Sequence, residues 1–110
     1  NANLISGCSI FSFVSAFDII SGDGNEISLC NLASVTGSII VVDPAFAGSG
    51  LKIQKCYGDS DNILNYFISC STPKNAYLVD NTAHNVAGLA NNITNLQVNT
   101  TDSFGNIITN

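Results

Sequence analysis

Short apolar runs, each cut off by Gly, Asp or Asn within a few residues, recur along this chain. "NEISLCNL" (25–32), "GSIIVVD" (37–43), "GLKIQKCYG" (50–58) and "NAYLVD" (75–80) are rich in β-branched residues, and apolar positions seldom recur at three- and four-residue spacing. β-Branched side chains lose rotamer freedom in a helix and pack well on a pleated surface, so these runs predict strands. Residues 9–20 and 92–100 read the same way, while "NILNYFISC" (62–70) fits a strand or one short helix. The turn segments "SGDG", "DPAFAGSG", "YGDSDN", "STPKN" and "SFGN" separate the runs at fairly regular intervals. Short strands spaced in this way predict an all-β chain, a small disulfide-stabilised antiparallel β-sandwich of Ig-like or jelly-roll-like type. "NTAHNVAGLANN" (81–92), with Ala83, Val86, Ala87 and Ala90, departs from the strand pattern and suggests a short helix near 82–90. The unbroken run "GSIIVVD" predicts a strand buried on both faces. A weak echo relates 39–48 to 76–88.

Length and composition set the outer bounds. The 110 residues suit a single domain spanning 1–110. At 45% hydrophobic and 10% charged, the chain has apolar material enough for a core and too few charges for a disordered one. Its only bases are Lys52, Lys55 and Lys74, against 8 acids. Phosphate neutralisation has no basic patch to work with, so no nucleic-acid partner is expected. Surface polarity must come from Asn, Ser and Thr, which predicts a secreted protein, extracellular or at the cell surface. The most apolar stretch, 4–20, is interrupted by Ser6, Gly7, Ser9, Ser12, Ser15 and Asp18, so no membrane span is expected. A chain starting at Asn1 is expected to be a mature form whose leader has been removed.

Cys8, Cys30, Cys56 and Cys70 are even in number and widely spaced, with no Cys-x-x-Cys pair. In a small, charge-poor chain this predicts two disulfides in an oxidising compartment. Of the three pairings, Cys8–Cys30 with Cys56–Cys70 would tie neighbouring strands. With His84 as the only histidine, no zinc cluster is expected. Asp18, Asp23, Asn25 and Glu26 are oxygen donors in one loop and so calcium candidates, although Asp, Asn and Gly are also ordinary turn residues. Asn92 and Asn99 begin Asn-x-Thr triplets and are candidate glycan acceptors. Strand parity places Asn99 on the solvent side and Asn92 at a loop edge at the strand's beginning. Tyr57, Tyr66 and Tyr77 are candidates for stacking on glycans, against an ordinary half-buried sheet role.

No reaction is expected. Without a serine elbow around it, His84 reads as a surface or loop residue, and without Arg there is no bidentate clamp. No cofactor is implied. The expected function is a non-enzymatic extracellular structural protein, a self-assembling filament or pilus-like subunit whose partners are copies of itself. Residues 1–20 are the assembly segment: Phe11, Phe13, Phe17 and Ile19 share one strand parity and would form a single apolar stripe for strand exchange. The alternative is a secreted binding module, lectin-like, toxin or host-directed effector.

Overall fold

The structure is a computed structural model that describes residues 3–60, 65–98 and 101. Among them run eleven strands: β1 (Leu4–Ser6), β2 (Ser9–Ser12), β3 (Phe17–Ile19), β4 (Glu26–Ser28), β5 (Asn31–Ser34), β6 (Ile40–Val42), β7 (Lys52–Gln54), β8 (Tyr57–Ser60), β9 (Tyr66–Val79), β10 (Thr82–His84) and β11 (Gly88–Val98). Every strand pairing is parallel. Leu4 lies beside Glu26, Glu26 beside Lys52, and Lys52 beside Tyr77, so the chain returns to one position every 22 to 26 residues. The result is a β-solenoid of about three turns, with β11 laying a further strand along β9.

Three faces enclose the core. The first carries β1, β4, β7 and the end of β9; the second β2, β5, β8 and β10; the third β3, β6 and the start of β9. In the earlier coils the loops 20–25 and 43–51 separate the third face from the next first face. Later the chain bends without leaving the ladder. Asn91 pairs with Ser69 and Ile93 with Lys74, so 70–73 of β9 stand opposite Asn92 alone.

The antiparallel sandwich, Ig-like or jelly-roll-like, is therefore incorrect. Its signal was the regular spacing of short strands and turns, which a parallel sheet wound around one core in successive coils produces equally well. Residues 37–43 are not a strand buried on both faces: Ile40 and Val42 point inward while Val41 is half-exposed, and Ile39 is buried at the corner before β6. The segment 82–90 forms β10 and the start of β11 rather than a helix; Ala83 and Ala90 are buried on their strands, and Val86 packs at the corner between them. The echo between 39–48 and 76–88 does not correspond to the coil repeat, because Ile40 pairs with Ile68 whereas Tyr77 pairs with Lys52.

Strands of three or four residues are too short to persist alone, and packing between coils holds them. Ile27, Ile53 and Leu78 stack in one buried column, and Ile40 and Ile68 in another. Each is worth about 1.5–3 kcal/mol when fully buried. Gly58 falls in the column of Leu32 and Ala83, where a Cβ would come 2.7 Å from a ring carbon of Phe67 and 2.9 Å from Ile39 Cδ1. The missing side chain is the space that Phe67 fills.

The corner from first to second face has its own column. Gly7, Leu29, Lys55 and Asp80 all take positive φ, between 53° and 69°. The same bend in every coil keeps the hydrogen-bond ladder unbroken: Gly7 N–H donates to Ser28 O, Leu29 N–H to Gln54 O, and Lys55 N–H to Val79 O. A left-handed conformation costs a non-glycine residue roughly 1–2 kcal/mol, so the ladder imposes this bend against local preference.

Urea unfolding of single variants checks this stacking. Ile53→Ala is expected to cost about 2–5 kcal/mol. Ile5→Ala, in the same column but only partly buried, should cost less than half as much. Lys55→Gly should be neutral or stabilising by up to about 1 kcal/mol, since relief of the bend offsets the added chain entropy. Equal losses at Ile5 and Ile53 would contradict the coil order.

Candidate functional site

The cysteines occupy the position after the positive-φ corner. Cys8, Cys30 and Cys56 stand at equivalent places in successive coils, followed by Asn81. Peptide groups register them: Asn31 N–H donates to Cys8 O, Tyr57 N–H to Cys30 O and Thr82 N–H to Cys56 O, each at 2.9 Å. The thiols hydrogen-bond to backbone. Cys30 Sγ donates to Ser28 O at 3.2 Å, and Cys56 Sγ reaches Gln54 O at 3.4 Å and Ile27 O of the preceding coil at 3.6 Å.

All four thiols are free, so the two predicted disulfides, Cys8–Cys30 and Cys56–Cys70, are absent. Cys70 belongs to another column altogether: it lies on β9 after Ile68, and its Sγ is 3.7 Å from Thr72 Oγ1. An even cysteine count carries the same signature whether it encodes bridges or a stack of small apolar side chains.

Asn81 ends the column with a different chemistry. It is fully buried; its Oδ1 accepts from Cys56 N–H at 3.0 Å, and its Nδ2 donates to Ile53 O at 3.0 Å. One amide thus ties two backbone groups of the coil before it. A parallel change occurs at the next corner, where Ser12, Ser34 and Ser60 are followed by Asn85, whose Nδ2 donates to Ser60 O at 2.6 Å.

Burial, with the Cys30 thiol alongside, raises the Cys56 pKa from 9.0 to about 11. The folded chain therefore keeps this proton at a pH where the unfolded chain has lost it. Stability from this group is complete below pH 9 and is lost as pH rises toward 11.

The predicted assembly residues divide between two orientations. Phe11 points outward from β2 and Phe13 lies at the following corner, 72% and 68% exposed; Phe17 and Ile19 point inward from β3. The bend at 13–16 breaks the single stripe that shared parity implied. The residues left partly buried against the core are Ile5, Ile10, Ala16, Phe17 and Val86, and all but Val86 belong to the first coil.

The calcium candidates do not converge. Asp23 Oδ1 accepts from Ser49 N–H at 2.9 Å, Asn25 is buried and donates to Ser21 O, Glu26 accepts from Gln54 Nε2, and Asp18 is exposed on β3. Among the described residues no three His, Cys, Asp or Glu side chains are grouped to hold a metal ion. Nor, among these residues, is any helix long and apolar enough to cross a membrane.

Asn92 lies within β11 rather than at a loop edge before it. It sits at the register shift with φ 57°, exposed, and its Nδ2 donates to Cys70 O at 3.0 Å. Asn99 falls outside the described residues. His84 is half-buried on β10, with Thr82 and Ala83 before it.

The signal that sequence reasoning missed is an internal repeat. Ile-x-x-Cys-x-x-x-Ser occurs at 5–12, 27–34 and 53–60, and a fourth copy, Leu78-x-x-Asn81-x-x-x-Asn85, carries both asparagine changes. No protein-family model, curated protein or solved structure matches the chain.

Thiol labelling checks the column. The denatured, unreduced chain is expected to show four reactive thiols, and the folded chain one fast thiol at exposed Cys8. Asn81→Ala leaves the Cys56 N–H and the Ile53 carbonyl unsatisfied, at about 1–3 kcal/mol each. Its thermal midpoint should fall, with Cys56 labelling faster. A denatured chain with no reactive thiol would overturn the free column.

Proposed function

We propose that this chain is a non-catalytic structural solenoid of the extracellular space that associates end to end through its first coil. The observation that carries the reading is the partial burial of Ile5, Ile10, Ala16 and Phe17. Their counterparts one coil on, Ile27, Leu32, Ile39 and Ile40, are at most 2% exposed. A further coil seated on the first would cover them as each coil covers the next. β1, β2 and β3 are also the edge strands of their sheets, with one side unpaired among the described residues.

Magnitudes decide what the contact requires. Completing the burial of three half-covered large side chains is worth roughly 1–1.5 kcal/mol each, against an association cost of about 4–15 kcal/mol. Apolar cover alone falls short, so the edge strands must pair as well, at about 0.5–1.5 kcal/mol per hydrogen bond. A second copy meets that need, because parallel coils stacked head to tail continue one ladder without closing it. The extracellular placement rests on the amide- and hydroxyl-rich, charge-poor composition; the free thiols lend it no support.

Sedimentation velocity over a concentration series tests the reading. The native chain should form larger species as concentration rises. The Ile5→Asp/Phe17→Asp variant should remain a monomer with an unchanged sheet spectrum, since both side chains are only partly buried, on edge strands of the described sheet. A native chain that stays monomeric throughout, or a double variant that assembles equally well, would refute end-to-end association.

A further inference from the structure

We propose that the outer surface of the second face binds a neutral oligosaccharide, at a trough running diagonally across β2, β5 and β8. The trough is shallow and open, has a volume of about 450 Å³, and is lined by Phe11 and Tyr57 together with Ser9, Asn31, Ala33 and Asp59. Strand alternation puts these six side chains outside, while Ile10, Leu32 and Gly58 face the core. Ala33 sits between Phe11 and Asp59 in one outward column, and its small side chain forms the depression. Asn31 and Tyr57 are neighbours in the other column.

The two aromatics differ from the core rings. Phe46 and Phe67 are buried, whereas Phe11 is 72% and Tyr57 39% exposed. Among the described residues, the side chains of Asn31, Tyr57 and Asp59 make no hydrogen bond, so an amide, a phenol and a carboxylate remain available beside two aromatic rings. Exposed aromatic surface beside unpartnered polar groups is the lining a small polar molecule with an apolar face would need.

The ligand class follows from what lines the trough. No basic side chain does, and Asp59 together with the chain's net charge of −5 disfavours an anion. An extended peptide would be recognised through backbone pairing at a sheet edge, whereas the trough is lined by the side-chain face of the sheet, where the β5 and β8 backbone is bonded to strands on both sides. A pyranose ring matches both requirements. Its C–H face lies against an aromatic ring, and its hydroxyls donate to Asp59 and exchange hydrogen bonds with Asn31 and Tyr57. This site is separate from the inward side chains that support end-to-end association.

The test uses the full chain and three probes: hexasaccharides of β-1,4-linked glucose, β-1,4-linked N-acetylglucosamine and α-linked mannose. Each is titrated to millimolar concentration while backbone amide shifts and tyrosine fluorescence are followed. The expected result is saturable binding of at least one probe, with amide shifts centred on Asn31, Ala33 and Tyr57. Tyr57→Ala and Phe11→Ala should each weaken it about tenfold, the loss usual for a central aromatic contact. Tyr77→Ala is the control, since Tyr77 is 41% exposed but lies on the first face. Failure of all three probes to saturate, binding unaffected by the trough variants, or equal loss with Tyr77→Ala would each overturn the assignment. So would shifts at the trough that depend on protein concentration alone, which would mark it as a contact between copies.

Discussion

Hydrogen bonding between successive coils, in strict parallel register, is the constraint on which everything else in this molecule depends. Strands of three or four residues have no stability of their own. They exist because each coil presents its peptide groups and inward side chains to the next at matching positions. Fixing Leu4 beside Glu26 fixes Ile5 over Ile27, the bend of Gly7 over that of Leu29, and Cys8 over Cys30. One set of pairings therefore decides the core, the corners and the chemistry of each column. The positive φ of Leu29 and Lys55 measures its strength: neither residue favours that conformation, and both adopt it because the coil on either side does.

The same constraint makes the ends unlike the middle. Among the described residues, a coil within the stack is covered on two sides and the first coil on one. Ile5, Ile10 and Phe17 thus combine core chemistry with partial exposure. Where the column chemistry changes, from Cys56 to Asn81 and from Ser60 to Asn85, the new amides bond back to carbonyls or N–H groups of the preceding coil. Polar side chains there secure a coil as apolar packing secures the ones before it. Outside the core the register has another consequence: it holds outward residues in straight columns, so that Phe11, Ala33 and Asp59 on one, and Asn31 and Tyr57 on the other, form a continuous surface.

Much of the secondary structure was legible and the topology was not. The runs at 25–32, 50–58 and 75–80 do contain strands, because β-branched content and turn residues report local geometry directly. Pairing partners are set by contacts 19 to 28 residues away, and alternation within one strand says nothing of whether its neighbour is parallel. The one readable indication was the recurrence of Ile-x-x-Cys-x-x-x-Ser. It was obscured by unequal loops such as 43–51 and by treating the cysteines as bridge candidates instead of as one repeated position. The first coil was singled out for its apolar content, yet parity was carried across the bend at 13–16, and so Phe11 was grouped with Phe17 although the two face opposite ways. At 82–90, of the four apolar residues at helical spacing, Ala83 and Ala90 were drawn instead into the ladder beside β8 and β9, with Val86 and Ala87 at the corner between them.

Proton–proton contacts between side chains test the parallel stack most directly. Methyl-labelled protein should show strong nuclear Overhauser effects between Ile27 and Ile53 and between Ile53 and Leu78, with no close Hα–Hα contacts across strands. Absence of those methyl contacts, together with Hα–Hα contacts between consecutive strands, would mean an antiparallel sheet and contradict the solenoid.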